Sequence, residues 1–169
     1  MGDETLSDEE KRKLLKPDPT IEQIISIAKE NFTVGGDNGV EIIKELDSYD
    51  DRNYWCRISG VDLLVKVHNG VESSDACRAV EEGKQDSVIH FQYAIMKTLR
   101  ESKIPASFPV HLEDARKGQD PLVRSLPVVS KEHSPCKLVV SAYTWVPGMP
   151  MSSLKVGIRI VRAPGTSLL

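Results

Sequence analysis

The run VDLLVKVHNG at residues 61–70 places Val61, Leu63, Leu64, Val65 and Val67 in a strand-like stretch with Lys66 inside it. Strand alternation puts Leu64, Lys66 and His68 on one face, and Leu63, Val65 and Val67 on the other. Two similar runs precede it, 40–47 (VEIIKELD) and 53–59 (NYWCRIS). The first pair of runs flanks the turn SYDDR, and the second pair flanks Ser59-Gly60. Connections this short predict an antiparallel meander, because a parallel crossover needs about a dozen residues or more.

Helical patterns lie on both sides of the meander. Ser7 with Glu10, and Thr20 with Gln23, have the spacing of capping boxes. The first predicts a short exposed helix over 7–15, polar enough to fray. KPDPT then breaks the chain. The second opens an amphipathic helix over 21–32, with Ile21, Ile24, Ile25, Ala28 and Phe32 at helical spacing. GGDNG at 35–39 is a turn signal, and it is no P-loop because no Gly-Lys-Ser/Thr follows. Residues 69–86 read as a polar connection. A helix follows over 87–102, with an apolar stripe of Val88, Phe91, Ala94, Ile95, Thr98 and Leu99, before Pro105.

Residues 106–112 and LPVVS read as further short strands, LEDARKGQDPL as a charged loop and KEHSP as a turn. CKLVVSAYTWV, 136–146, is the strongest remaining strand, and Pro147-Gly148-Met149-Pro150 must leave the sheet. The order is helix, three antiparallel strands, helix, then two or three more strands. It predicts an α+β domain with a helix packed on one face of an antiparallel sheet of about five strands, plus an N-terminal helix.

At 169 residues the chain suits one domain. A net charge of −3 without a Lys/Arg block argues against nucleic acid as a partner. Cys56, Cys77 and Cys136 are odd in number and widely spaced, so neither a disulfide framework nor a metal cluster is expected. Reduced thiols in a cytoplasmic protein are the plain reading. MGDETLSDEEKRKLL has no apolar core for a secretory signal, and Leu6 stands where myristoylation favours Ser or Thr. No apolar stretch approaches the length of a membrane span.

A lysine pointing into a cleft needs an anion to offset its desolvation, and phosphate is a natural candidate. The other reading is an edge lysine that snorkels its amine into water. The turn Ser48-Tyr49-Asp50-Asp51-Arg52-Asn53 has the small polar residues that lay backbone N–H groups over a phosphate. Read as a solvated hairpin tip it is equally ordinary. Its two aspartates favour that, since they repel phosphate unless they face outward or meet a metal. YTWVPGMP reads either as a hinge between two lobes or as an ordinary strand end.

The segments LDSYDDRNYWCRI, LLVKVHN, LRESKIP and YTWVPGMPM together resemble the N-terminal lobe of aminoglycoside phosphotransferase and choline kinase-like small-molecule kinases. Within that family LDSYDDRNYWCRI, LLVKVHN and YTWVPGMPM are most similar to the hydroxylysine kinase branch. The resemblance covers about residues 20–154, after a polar segment over 1–19. It implies a protein-kinase-like lobe that binds ATP or GTP with Mg²⁺. Lys66 would hold the nucleotide phosphates, and Leu64 would roof the base. Ser48 to Asn53 would cover the phosphates. Backbone groups of Thr144 and Val146 would pair with the base edge. The helix position that usually supplies a lysine-orienting glutamate is Gln92, with His90 nearby, and neither is a carboxylate.

Such kinases transfer the γ-phosphoryl group to a hydroxyl of a small amino compound. They use a His-x-Asp-x-x-x-x-Asn loop and a later metal-binding Asp. No histidine of this chain is followed by x-Asp, and HLED at 111–114 has the wrong spacing. Residues 155–169, KVGIRIVRAPGTSLL, match nothing expected after the hinge. The expectation is therefore a nucleotide-binding lobe without its catalytic partner, with no catalytic or metal-ligating residue of its own. A truncated gene model, an alternative splice product or a fragment would explain it. Exposed apolar residues at the hinge, Trp145, Val146 and Met149, would make it marginally stable. The alternative is a non-catalytic regulatory or interaction module of α+β fold.

Overall fold

The computed structural model describes residues 6–32, 39–104, 125–128 and 136–146. The expectations for 106–112, LEDARKGQDPL, KEHSP, most of GGDNG, Pro147–Pro150, Met149 and the segment 155–169 fall outside the described residues. The elements are α1 (Asp8–Leu14), α2 (Ile21–Asn31), β1 (Val40–Leu46), β2 (Arg52–Ile58), β3 (Val61–Val67), α3 (Gly70–Glu81), α4 (Val88–Glu101), β4 (Ser125–Val128) and β5 (Cys136–Thr144). The protein is α+β with an antiparallel sheet. β1, β2 and β3 form the meander, and β5 pairs antiparallel with β3. β4 pairs with the first residues of β5, giving the order β1-β2-β3-β5-β4.

Local sequence explains the elements that position the site. Ser7 with Glu10 and Thr20 with Gln23 close reciprocal capping boxes on α1 and α2. Ser59 and Gly60 have φ of 50° and 79°, the double positive φ that a two-residue type I′ hairpin demands. That turn fixes the register of β2 on β3, with Asn53 opposite Lys66 and Trp55 opposite Leu64.

The two faces of the sheet are covered differently. α2 lays Ile24, Ile27, Ala28 and Phe32 against Tyr54, Cys56, Ile58, Leu63, Val65, Val67, Leu138, Val140 and Ala142. The hydrophobic effect of this cluster holds the domain together. On the opposite face a smaller cluster of Ala76, Ile89 and Val139 joins α3 and the first turn of α4 to β5. The Lys66 side of that face is left for the site. Cys56 is buried, which pushes its thiol up to about 12, and Cys56 and Cys77 are free thiols. Among the described residues no helix is long and apolar enough to cross a membrane.

Two expectations need correction. The stretch 69–86 is not a plain polar connection, since it contains the 12-residue helix α3. Asn69 caps it, accepting from the N–H groups of Val71 and Glu72. The residues α3 buries are Gly70, Ser73, Ala76 and Ala79, all small, so no stripe of large apolar side chains announces the helix. In α4 the buried residues are Ile89 and His90. Val88, Phe91 and Ile95 of the expected stripe are exposed, because the helix touches the small cluster through its first turn.

Gly70 donates its N–H to the carbonyl of Leu15 at 2.9 Å, and a Cβ there would lie 2.7 Å from the Leu15 Cβ. Gly70→Ala is predicted to destabilise the fold by about 1–3 kcal/mol, the usual range for overpacking. Urea denaturation of the two proteins measures it.

Candidate functional site

Lys66 projects from the third strand of the meander, on the face that α2 does not cover. Its side chain is 21% exposed, and its Nζ meets Asp51 Oδ2 at 2.7 Å. Asp51 comes from the turn between β1 and β2 and is buried. Its other oxygen accepts from the Asn69 backbone N–H at 2.9 Å, so the cap residue of α3 also fixes Asp51. Burial acts to lower the Lys66 pKa. The hydrogen bond and charge of Asp51 outweigh it, and the net shift is upward from the ordinary lysine value.

Beside this pair lies a second, linked set. His68 follows β3, is fully buried, and shares a 3.1 Å hydrogen bond between its Nε2 and Ser141 Oγ. Its Nδ1 is 3.4 Å from Glu72 Oε2 on α3. Burial pushes the His68 pKa down despite the Glu72 hydrogen bond, so the imidazole is neutral at pH 7. A neutral ring with its proton on Nδ1 donates to Glu72 and accepts from Ser141. Hydrogen bonds from His68 and then from Arg12 hold the Glu72 carboxyl at about 2, against the effect of burial.

The N-terminal segment ties the turn down. Arg12 Nη1 bridges Asp50 at 2.7 Å and Glu72 at 3.1 Å. Lys16 donates to the carbonyls of Ser48 and Tyr49, each at 2.9 Å, and the Tyr49 hydroxyl donates to Glu9 at 2.7 Å. The polar helix expected to fray is therefore pinned at several points to the turn it crosses. A cavity of about 440 Å³ opens there, lined by Lys16, Glu45, Asp47, Ser48, Asp51 and Arg52 among others. Its lining includes Ser48 but does not extend to Lys66, Asn53, Leu64, Gln92, Thr144 or Val146.

The sequence-derived residues fall into four places. Lys66, Asn53 and Leu64 share one sheet face, together with Ser141 and Tyr143, which pair with Lys66 and Leu64 across β5. Ser48 sits in the turn. Thr144 ends β5, and Val146 beyond it is 47% exposed. Trp145 is not simply exposed, since its ring stacks on Trp55 with centroids 4.7 Å apart and planes 8° from parallel. Gln92 lies half-buried on α4. The counter-charge that the resemblance would place on this helix is supplied instead by Asp51 of the turn.

Asp51, Glu72 and Arg12 are the residues that sequence reasoning missed. Asp51 was legible only as a charge that would repel phosphate. Glu72 carried a signal, standing three residues after the cap Asn69, but no apolar run followed it.

Asp51, His68 and Glu72 bring one possible ligand atom each within 4.8 Å of one another. These atoms are already engaged: Lys66 and Asn69 take the Asp51 oxygens, and Arg12 and His68 take those of Glu72. Mg²⁺ demands near-octahedral oxygen coordination and keeps much of its water. A set that includes an imidazole, with an ammonium 2.7 Å from one carboxylate, does not fit it.

No protein-family model matches the chain, and no match was found among curated proteins or solved structures.

Two predictions follow from this geometry. Asp51→Asn keeps the acceptor for Asn69 but removes the charge facing Lys66. It should cost about 1–3 kcal/mol at neutral pH, the range for a partly buried charged hydrogen bond, and drop the Lys66 pKa below the ordinary lysine value. Denaturation and an NMR titration of the lysine side chain measure both effects. The second concerns acid. The pKa values of His68 and Glu72 are lower folded than unfolded, so below each unfolded value the unfolded chain binds more protons. Stability should begin to fall as pH drops below about 6.5, where unfolded histidine protonates. It should fall further between 4.5 and about 2, where Glu72 protonates in the unfolded chain first. Glu72→Gln should flatten that second window in urea melts across pH.

Proposed function

We propose that this chain is the nucleotide-binding lobe of a small-molecule kinase of the aminoglycoside phosphotransferase type. The full reaction would pass the γ-phosphoryl group of ATP or GTP to a hydroxyl of a small amino compound, as in hydroxylysine kinases. The observation that carries this reading is Lys66. It stands on the third strand, its amine is largely withdrawn from bulk water, and a carboxylate from the hairpin turn before it holds the charge. A strand-three lysine beneath a hairpin turn is the arrangement that protein kinases use to hold nucleotide phosphates. The meander, a helix on the lysine face and a long strand pairing with the lysine strand agree with a kinase-like N-terminal lobe. Leu64 lies next to Lys66 on the same face, and on this reading it would roof the base.

Asp51 then has the orienting role that a helix glutamate has elsewhere. It keeps Lys66 charged and aimed, and triphosphate oxygens would compete with it for the ammonium. Mg²⁺ would arrive with the nucleotide, its protein ligands belonging to the second lobe that the resemblance implies.

A second reading is supported by one specific observation. No His-x-Asp occurs in these 169 residues, so the base that would accept the substrate proton has no counterpart here. A lobe that binds nucleotide, or a partner, without turnover fits that fact.

Thermal unfolding with Mg-ATP and Mg-GTP tests the proposal. At about 100 times Kd a ligand adds about 2.7 kcal/mol of stability, enough to raise the melting temperature by several degrees. Lys66→Met should lose most of that shift. Because Lys66→Met leaves Asp51 unpaired, the double variant Lys66→Met/Asp51→Asn serves as a better-folded control. A shift of equal size in all three proteins overturns the reading and favours a module in which Lys66 has no ligand.

A further inference from the structure

Among the described residues, the buried side-chain polar atoms without a hydrogen-bond partner are Asn53 Oδ1 and Trp55 Nε1. Both lie on β2, two residues apart, and so on one face of the sheet. The register sets Asn53 beside Lys66 and Trp55 beside Leu64. Buried polar groups are almost always satisfied, so an open acceptor and an open donor on neighbouring rows require a reason. Asn53 stands directly across from the lysine that the strand pattern singles out, and Trp55 stands one row further along the same face.

What covers Trp55 is another indole. Trp145, just past the end of β5, stacks nearly parallel on it at 4.7 Å. Its backbone N–H reaches the carbonyl of Asp62 at a long 3.4 Å. A stacked indole gives Trp55 the contact that a flat heterocycle would give, but it brings no acceptor to Trp55 Nε1. At about 3.4 Å per residue, the Trp55–Leu64 row lies about 7 Å along the sheet from the Asn53–Lys66 row. One pentose spans about that interval between a ring and a phosphate.

We propose that Trp145 occupies the place of a ligand ring, and that a phosphorylated nucleoside displaces it. The ligand ring takes the place of Trp145 on the Trp55 face, and an oxygen of its sugar or phosphate, which can reach the indole plane, accepts from Trp55 Nε1. A sugar hydroxyl donates to Asn53 Oδ1, and the phosphates meet Lys66. Bare polyphosphate satisfies Lys66 alone and leaves the indole pair closed. This assignment rests on the nucleotide reading above and adds to it which side chains read the nucleoside, and by what exchange the site opens.

The stacked pair provides its own reporter, since two closely stacked indoles with skewed transition moments give an exciton couplet in circular dichroism, which Trp145→Leu calibrates. Mg-ATP, Mg-GTP and inorganic tripolyphosphate are titrated against the 169-residue chain, with calorimetry alongside. At least one nucleotide should abolish the couplet, and tripolyphosphate should leave it. Asn53→Ala should weaken that nucleotide about tenfold more than it weakens tripolyphosphate, the loss of one buried hydrogen bond. Trp145→Leu should lack the couplet and bind the nucleotide several-fold more tightly. If nucleotide binds through Lys66 while the couplet persists and Asn53→Ala has no selective effect, the exchange is overturned and the nucleotide reading stands. If neither nucleotide nor tripolyphosphate binds, both fall.

Discussion

The ion pair between Lys66 and Asp51 is the constraint around which the described structure is arranged. An ammonium on a central strand cannot be drawn out of water alone, and a lone buried carboxylate is equally costly. Placing one on β3 and the other in the turn before β2 couples the hairpin to the strand. Asn69 then couples the same carboxylate to the start of α3, and Arg12 couples the neighbouring Asp50 to Glu72. The charges are satisfied as a set. A change at one member is felt by a turn, a strand and two helices.

This arrangement separates the two faces of the sheet by task. The face under α2 is closed with Ile, Val, Leu and Phe and contains the bulk of the hydrophobic core. The other is closed near β5 by small residues of α3, which let the helix approach, and holds the polar set in the remaining space. The N-terminal segment reaches across from α1 to the turn, so the polar helix contributes geometry rather than core. Gly70 marks where that approach is tightest, against Leu15.

Much of the scaffold was legible in the sequence because its signals are local. Capping boxes at Ser7 and Thr20, and the Ser59-Gly60 turn with alternating residues on both sides, each act within a few residues. Lys66 was legible as a charge out of place in an apolar run. Its partner was not, because Asp51 reads as repulsive to phosphate until the hairpin register brings it to the ammonium. Helix α3 was hidden by the small size of what it buries, Gly70, Ser73, Ala76 and Ala79. The stacking of Trp55 on Trp145 depends on the pairing of β3 with β5, which no local pattern encodes. The α4 stripe shows the converse: periodicity at Phe91 and Ile95 was real, yet what a helix buries depends on its neighbours.

The most direct measurement is the side-chain ammonium resonance of Lys66 in a proton–nitrogen NMR spectrum at neutral pH. Ammonium protons of solvated lysines exchange with water too fast to be seen under those conditions. An amine gripped by Asp51 and shielded from water should give a visible resonance, with a hydrogen-bond correlation to the carboxylate. A Lys66 ammonium as invisible as those of surface lysines would contradict the account.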